Sequence, residues 1–173
     1  MGERLVNISN SKIVSSQDLW QLIGTISVAG TTLAVGSRAW SDVKSYFATA
    51  STAYLAWDVP IGAYGVEFRF QTTTDADADV VEIWGACGKD HFTLLATLTL
   101  TGGTQEGDSS LVFVDTIVAS TENLVNSGKV MDSAANRICR YAVDLCGYSK
   151  LLFISTTLQA STGLTIQGRI VTG

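Results

Sequence analysis

Residues 80–117 read VVEIWGACGKDHFTLLATLTLTGGTQEGDSSLVFVDTI. This stretch predicts three β-strands joined by two glycine-bearing polar turns. Phe92, Leu94, Ala96, Leu98 and Leu100 alternate with Thr93, Leu95, Thr97, Thr99 and Thr101. A period of two puts the first set on an apolar face and the mainly threonine set on the other. Threonine is β-branched and tolerates water, which suits the solvent side of an antiparallel strand. Before this strand, Val81, Ile83 and Cys87 share a face with Gly85, while Glu82 and Trp84 take the opposite face. After it, Leu111, Phe113 and Ile117 alternate with Val112, Val114 and Val118. Both faces there are apolar, as in a strand that is central or covered. Gly88-Lys89-Asp90 forms one turn, and Gly102-Gly103 with Gly107-Asp108 brackets the other loop.

The same period extends outward. Ala63–Thr72 alternates Tyr64, Val66, Phe68 and Phe70 with Gly65, Glu67, Arg69 and Gln71, so it predicts a strand with a large apolar face. Tyr54–Val59 is a strand stopped by Pro60 and the turn at Gly62. Leu19–Ala29 places Leu22, Gly24, Ile26 and Val28 on one side and Gln21, Ile23, Thr25 and Ser27 on the other. Leu33–Val35 begins a return after the turn at Gly30. Ser41–Ala50 fits a short helix, a loop or a strand. Cys139–Leu145, Leu151–Leu158 and Leu164–Val171 supply the last strands. Thr72–Asp79 and Ser120–Asn136 read as polar loops, the second long enough to be a contact segment. Met1–Val14 is polar and aperiodic. The expected organisation is a flexible arm at 1–14 and a single domain at 15–173. Many short strands with little helix predict an all-β antiparallel sandwich of jelly-roll-like type with about eight to ten strands.

Composition narrows the function classes. The chain has 173 residues, a net charge of −5, and only 16% charged residues, below the ~25% of an average globular domain. Its 11 lysines and arginines are scattered singly, which argues against a nucleic-acid partner. No apolar run is long enough to span a membrane, and the N-terminal residues show no secretory signal. Cys87, Cys139 and Cys146 make an odd, sparse set, expected as buried thiols of a chain folded in a reducing cytoplasm, with a Cys139–Cys146 bridge across a strand end as the alternative.

Three groups of residues carry potential chemistry. Asp75, Asp77 and Asp79 have the spacing of a calcium loop and are the metal candidates. The sixth-position glycine and twelfth-position glutamate of that motif are absent, so a solvated turn is the simpler reading. His91, the single histidine, is the only base a hydrolase could use, but no nucleophile elbow accompanies it. Catalytic and cofactor sites are therefore expected to be absent. Trp20, Trp40, Trp57 and Trp84 invite a carbohydrate-binding reading, against packing in a core or interface. Packing is the simpler reading; of the four, Trp84 shares its face with Glu82, which makes it the leading glycan candidate, and Trp57 lies opposite Asp58.

Thr97–Gln105 (TLTLTGGTQ), Phe113–Ile117 (FVDTI) and Tyr141–Phe153 (YAVDLCGYSKLLF) together resemble β-sandwich structural proteins of tailed bacteriophages, capsid decoration (cement) proteins above all. In such chains an Asp-x-x-Gly-Tyr turn, here Asp144 to Tyr148, precedes a strand and a last hairpin. The resemblance covers the C-terminal half. It implies a non-enzymatic role on the virion's capsid surface, with the major capsid protein as partner and symmetric self-association, expected as a homotrimer. Physically, Gly147 permits the reversal and Tyr148 can pack back over the strand ends. The alternatives are a jelly-roll carbohydrate-binding module and a phage neck or tail subunit.

Overall fold

The computed structural model describes residues 20–33, 53–72, 78–88, 91–101, 104–105, 112–113, 116–122, 129–133, 138–145, 147–158 and 163–171. The strands are β1 (Gln21–Ile26), β2 (Tyr54–Asp58), β3 (Gly65–Thr72), β4 (Val80–Ala86), β5 (Thr93–Thr101), β6 (Thr104–Gln105), β7 (Val112–Phe113), β8 (Thr116–Glu122), β9 (Lys129–Ser133), β10 (Ile138–Asp144), β11 (Lys150–Thr157) and β12 (Leu164–Val171). Ten of these twelve have five or more residues, matching the upper end of the expected count.

Sheet I runs β1-β12-β3-β10-β9, with β7 on the end of β3 and β6 beside β7; sheet II runs β2-β11-β4-β5-β8. All pairings are antiparallel. The pairings nest: β1 with β12, β2 with β11, and β3 with β10, around the β4–β5 hairpin. A chain folded as one long rolled hairpin gives that nesting, and it is the jelly-roll topology. It also corrects one expectation. β11 and β12 do not form a terminal hairpin, because each pairs with strands of a different sheet.

The main core lies between the sheets. Val66, Phe68 and Phe70 of β3, Leu164 and Ile166 of β12, and Tyr141 and Val143 of β10 pack with Val81, Ile83, Leu98, Leu100, Leu151 and Phe153 of sheet II. Phe68 sits at its centre, edge-on to Phe153 at 5.0 Å and to Trp57 at 6.2 Å between ring centroids. Such pairs add about 0.5–1.5 kcal/mol beyond the area that they bury.

A second, smaller core lies on the outer face of sheet II. Tyr54, Trp84, Ala86, Phe92, Leu152 and Ile154 pack there beneath Leu33 and Ala53. β4 and β11 are therefore apolar on both faces, and the residues around Gly30–Leu33 act as a strap across them. Gly30 N–H donates to Ser155 O at 2.7 Å, which ties the strap to β11.

Bulges explain where the simple period fails. Ile83 pairs with Ala96 but Trp84 pairs with Leu94, so Leu95 is an extra residue. Each extra residue reverses the phase of a strand. Ala96, Leu98 and Leu100 consequently enter the main core with Leu95, while Phe92 and Leu94 turn to the second core. β1 has the same device at Ile23, between the pairs Leu22–Gln167 and Gly24–Ile166. Ile23 packs on the main core and Leu22 is left 68% exposed, the reverse of the expected assignment. Val28, expected on the inner face, is also exposed. Tyr64 lies before the start of β3 and is 60% exposed rather than buried with Phe68.

Two further expectations are corrected. Leu111–Val118 is not one strand: β7 joins sheet I and β8 joins the edge of sheet II. Ser120–Asn136 is not a continuous loop, since β8 reaches Glu122 and β9 pairs Val130 with Tyr141 and Met131 with Arg140. β9 is an edge strand, and an edge strand needs little apolar patterning of its own. The arm at 1–14 and the ambiguous stretch Ser41–Ala50 lie outside the described residues.

Candidate functional site

The outer face of sheet I carries the most developed polar arrangement among the described residues. β3 alternates buried Val66, Phe68 and Phe70 with outward Glu67, Arg69 and Gln71. Antiparallel register sets Arg169 opposite Glu67, Gln167 opposite Arg69 and Thr165 opposite Gln71. Arg169 Nη2 donates to Glu67 Oε2 at 2.5 Å, and Arg69 Nε donates to Gln167 Oε1 at 2.5 Å. Gln167 Nε2 reaches Gln71 Oε1 at 3.4 Å, so one glutamine orients both neighbours.

Trp20, immediately before β1, lies over this lattice. Its ring centroid is 4.5 Å from Arg69 Cζ and 5.3 Å from Arg169 Cζ. Guanidinium planes over an indole gain about 0.5–2 kcal/mol each, more as water is excluded. Both arginines are thus held in place before any partner arrives. Exposed Leu22 follows two residues later on the same strand face, opposite Gln167. An aromatic, two ordered guanidiniums and an exposed leucine form a surface suited to a protein contact.

Trp84, the leading glycan candidate, is placed elsewhere. It is 1% exposed, inside the second core. Its indole N–H donates to Glu82 Oε2 at 2.9 Å, and the Thr32 hydroxyl donates to the same oxygen at 2.7 Å. Sequence parity put Glu82 and Trp84 on one face correctly; it could not show that the strap covers that face. Trp57 is half-buried against the main core, and Trp40 lies outside the described residues.

Of the calcium candidates, Asp75 and Asp77 lie outside the described residues. Asp79 is fully buried, not in a solvated turn as expected. Its carbonyl accepts from Leu100 N–H at 2.8 Å, and Ala78 beside it takes a left-handed φ of 65°. His91 is exposed just before β5. Cys87 is a free thiol, exposed rather than buried. Cys146 lies outside the described residues, and of Cys139 only the backbone position in β10 is described.

The Asp144–Tyr148 turn is built as its residues require. Gly147 has φ +91°, open to glycine at little cost, and Tyr148 N–H donates to Leu145 O at 2.9 Å. Tyr148 folds back against Gly85 of β4, where a Cβ would stand 2.8 Å from the tyrosine ring. Burial raises the Tyr148 pKa above its ordinary value, and the neighbouring Cys87 adds to the rise.

No protein-family model and no curated protein matches the chain. Among solved structures it is similar to the SPBc2 prophage-derived protein YomS, with 15% identity and a TM-score of 0.37, over 68% of this chain and 78% of that one. It is also similar to the K2 cleaved adhesin domain of Lys-gingipain, with 15% identity and a TM-score of 0.35, over 69% of this chain and 63% of that one. At these scores the functional reading rests on the chain's own residues.

Proposed function

We propose that this chain is a non-enzymatic structural protein of a tailed-phage virion. It binds the capsid exterior through the major capsid protein and reinforces the shell, acting as a self-associating, trimeric decoration subunit. The C-terminal motifs supply the resemblance, and jelly-roll sandwiches serve both virion and lectin roles, so fold alone does not choose between them. The observation that carries the choice is the burial of Trp84. The aromatic–carboxylate pair that a glycan reading needs on the surface instead fastens the strap to sheet II. Position adds support, because Trp20 brings the chain onto the outer face of sheet I and the arm at 1–14 precedes it by only a few residues.

The test mixes purified protein with empty capsid shells of the encoding phage that lack it. Co-sedimentation at a fixed ratio to the major capsid protein is expected, with occupancy reduced when residues 2–14 are deleted and unchanged by His91→Ala. Absence of binding at saturation, or glycan-array binding lost in Trp20→Ala, overturns the proposal in favour of a carbohydrate-binding module.

A further inference from the structure

β1 is fastened differently at its two ends. Among the described strands it is an edge of sheet I, with β12 as its neighbour. Its C-terminal half is seated in the core. Ile26 is fully buried opposite Leu164, and the hydroxyls of Thr25 and Thr165 share a hydrogen bond at 2.8 Å. Its N-terminal half has no such seat, because Gln21 and Leu22 are both exposed. Between the halves the register shifts at Ile23, which packs on the main core, and Gly24 follows with no side chain. A bulge interrupts the ladder, and glycine gives the backbone its widest freedom. Ahead of the bulge, the half-buried indole of Trp20 reaches the sheet over Arg69 of β3 and Arg169 of β12.

We propose that residues 20–22 are a flap, hinged at the bulge of Ile23 and Gly24 and latched shut by the Trp20 indole on Arg69 and Arg169. The flap opens while Thr25, Ile26 and the rest of sheet I stay folded. Edge segments with little buried apolar surface open at the low end of a protein's stability range. Closed, the indole caps both guanidiniums, and β1 covers the edge of β12 at Gln167 and Gly168. Open, Arg69 keeps Gln167 and Arg169 keeps Glu67, so the two arginines stay ordered but uncapped. The chain ahead of Trp20 is joined to the flap, so a pull on it reaches the latch before it reaches Ile26. The device is independent of the virion role.

Native-state hydrogen exchange of the full chain, read amide by amide by NMR, tests this. In the wild type, the amides that bond β1 to β12 at residues 21–22 are expected to exchange through an opening that leaves those at residues 25–26 protected. Trp20→Ala should speed the first group on the order of tenfold and leave the second unchanged. Arg69→Lys with Arg169→Lys keeps the charge and loses the planar stack, so it should speed the same amides. If Trp20→Ala does not fold, the wild-type profile and the lysine pair still decide. Equal protection along the whole of β1 overturns the hinge, as does a uniform rise along it in Trp20→Ala. Unprotected amides at residues 21–22 of the wild type overturn the latch, as does a folded Trp20→Ala that exchanges like the wild type. A rise in Trp20→Ala that the lysine pair does not reproduce overturns the arginine stack as the latch.

Discussion

Thr32 donates its hydroxyl hydrogen to Glu82 Oε2 at 2.7 Å, across 50 residues of chain. That bond joins the strap to the centre of sheet II, and the Trp84 indole shares the same acceptor oxygen. A carboxylate placed there has two neutral donors aimed at it inside an apolar shell. Removing one donor should cost about 1.5–3 kcal/mol, as for hydrogen bonds to charged groups. Thr32→Val is therefore expected to lower the urea midpoint and to red-shift Trp84 emission as the strap loosens. Glu82→Ala should cost more, because it leaves two donors without their acceptor.

Phe68 is the keystone of the main core, with no solvent exposure and two edge-on aromatic neighbours. Phe68→Ala should destabilise by about 3–5 kcal/mol, and Phe68→Leu by less than half of that. Equilibrium urea unfolding reads both. An unchanged m-value would show that the loss is one of stability and not of two-state behaviour.

Gly85 is fixed by space, not by backbone angle. An added Cβ would lie 2.8 Å from Tyr148 Cδ1 and 2.9 Å from Leu95 Cδ1. Gly85→Ala should cost about 1–3 kcal/mol through overpacking. Shortening Leu95 in the same chain should recover part of that, so a double-mutant cycle with Leu95→Ala should be less than additive.

Tyr148 links folding to alkaline pH. Burial, then the neighbouring Cys87, holds its pKa above the ordinary tyrosine value in the folded state. The unfolded chain then releases this proton at lower pH than the folded one. Stability contributed by the neutral phenol is full below pH ~10 and is lost as pH rises through the folded-state value. Spectrophotometric titration of the wild type against Tyr148→Phe should assign to Tyr148 a phenol that ionises above the ordinary tyrosine range. Cys87→Ser should bring it down only in part, since burial is the larger cause.

The sequence made the strands of the main core legible wherever alternation ran unbroken, as in Val66, Phe68 and Phe70 or in Tyr141 and Val143. It misassigned Leu22 and Phe92 because a bulge inserts one residue without any mark in the pattern. It hid β9, whose pairing is supplied by β10. The strap was illegible for a different reason: Leu33–Val35 reads as the start of a return strand, and the partners of Leu33 lie 50 or more residues away in Trp84 and Leu152. Trp84 packs in a core, as the simpler reading of the tryptophans has it, but the pattern does not show what covers it. The Trp20–Arg69–Arg169 stack also went unseen, since it joins Trp20, before β1, to Arg69 of β3 and Arg169 of β12 through register alone. The alternation of Glu67, Arg69 and Gln71 was its one available signal.

Shell reinforcement is the central claim, and capsid melting measures it most directly. Empty shells lacking this protein would be heated with increasing amounts of it, and their disruption followed by light scattering. The account predicts a disruption temperature that climbs with occupancy and levels off at a fixed ratio to the major capsid protein. Shells that bind the protein to saturation and melt where bare shells melt would contradict it.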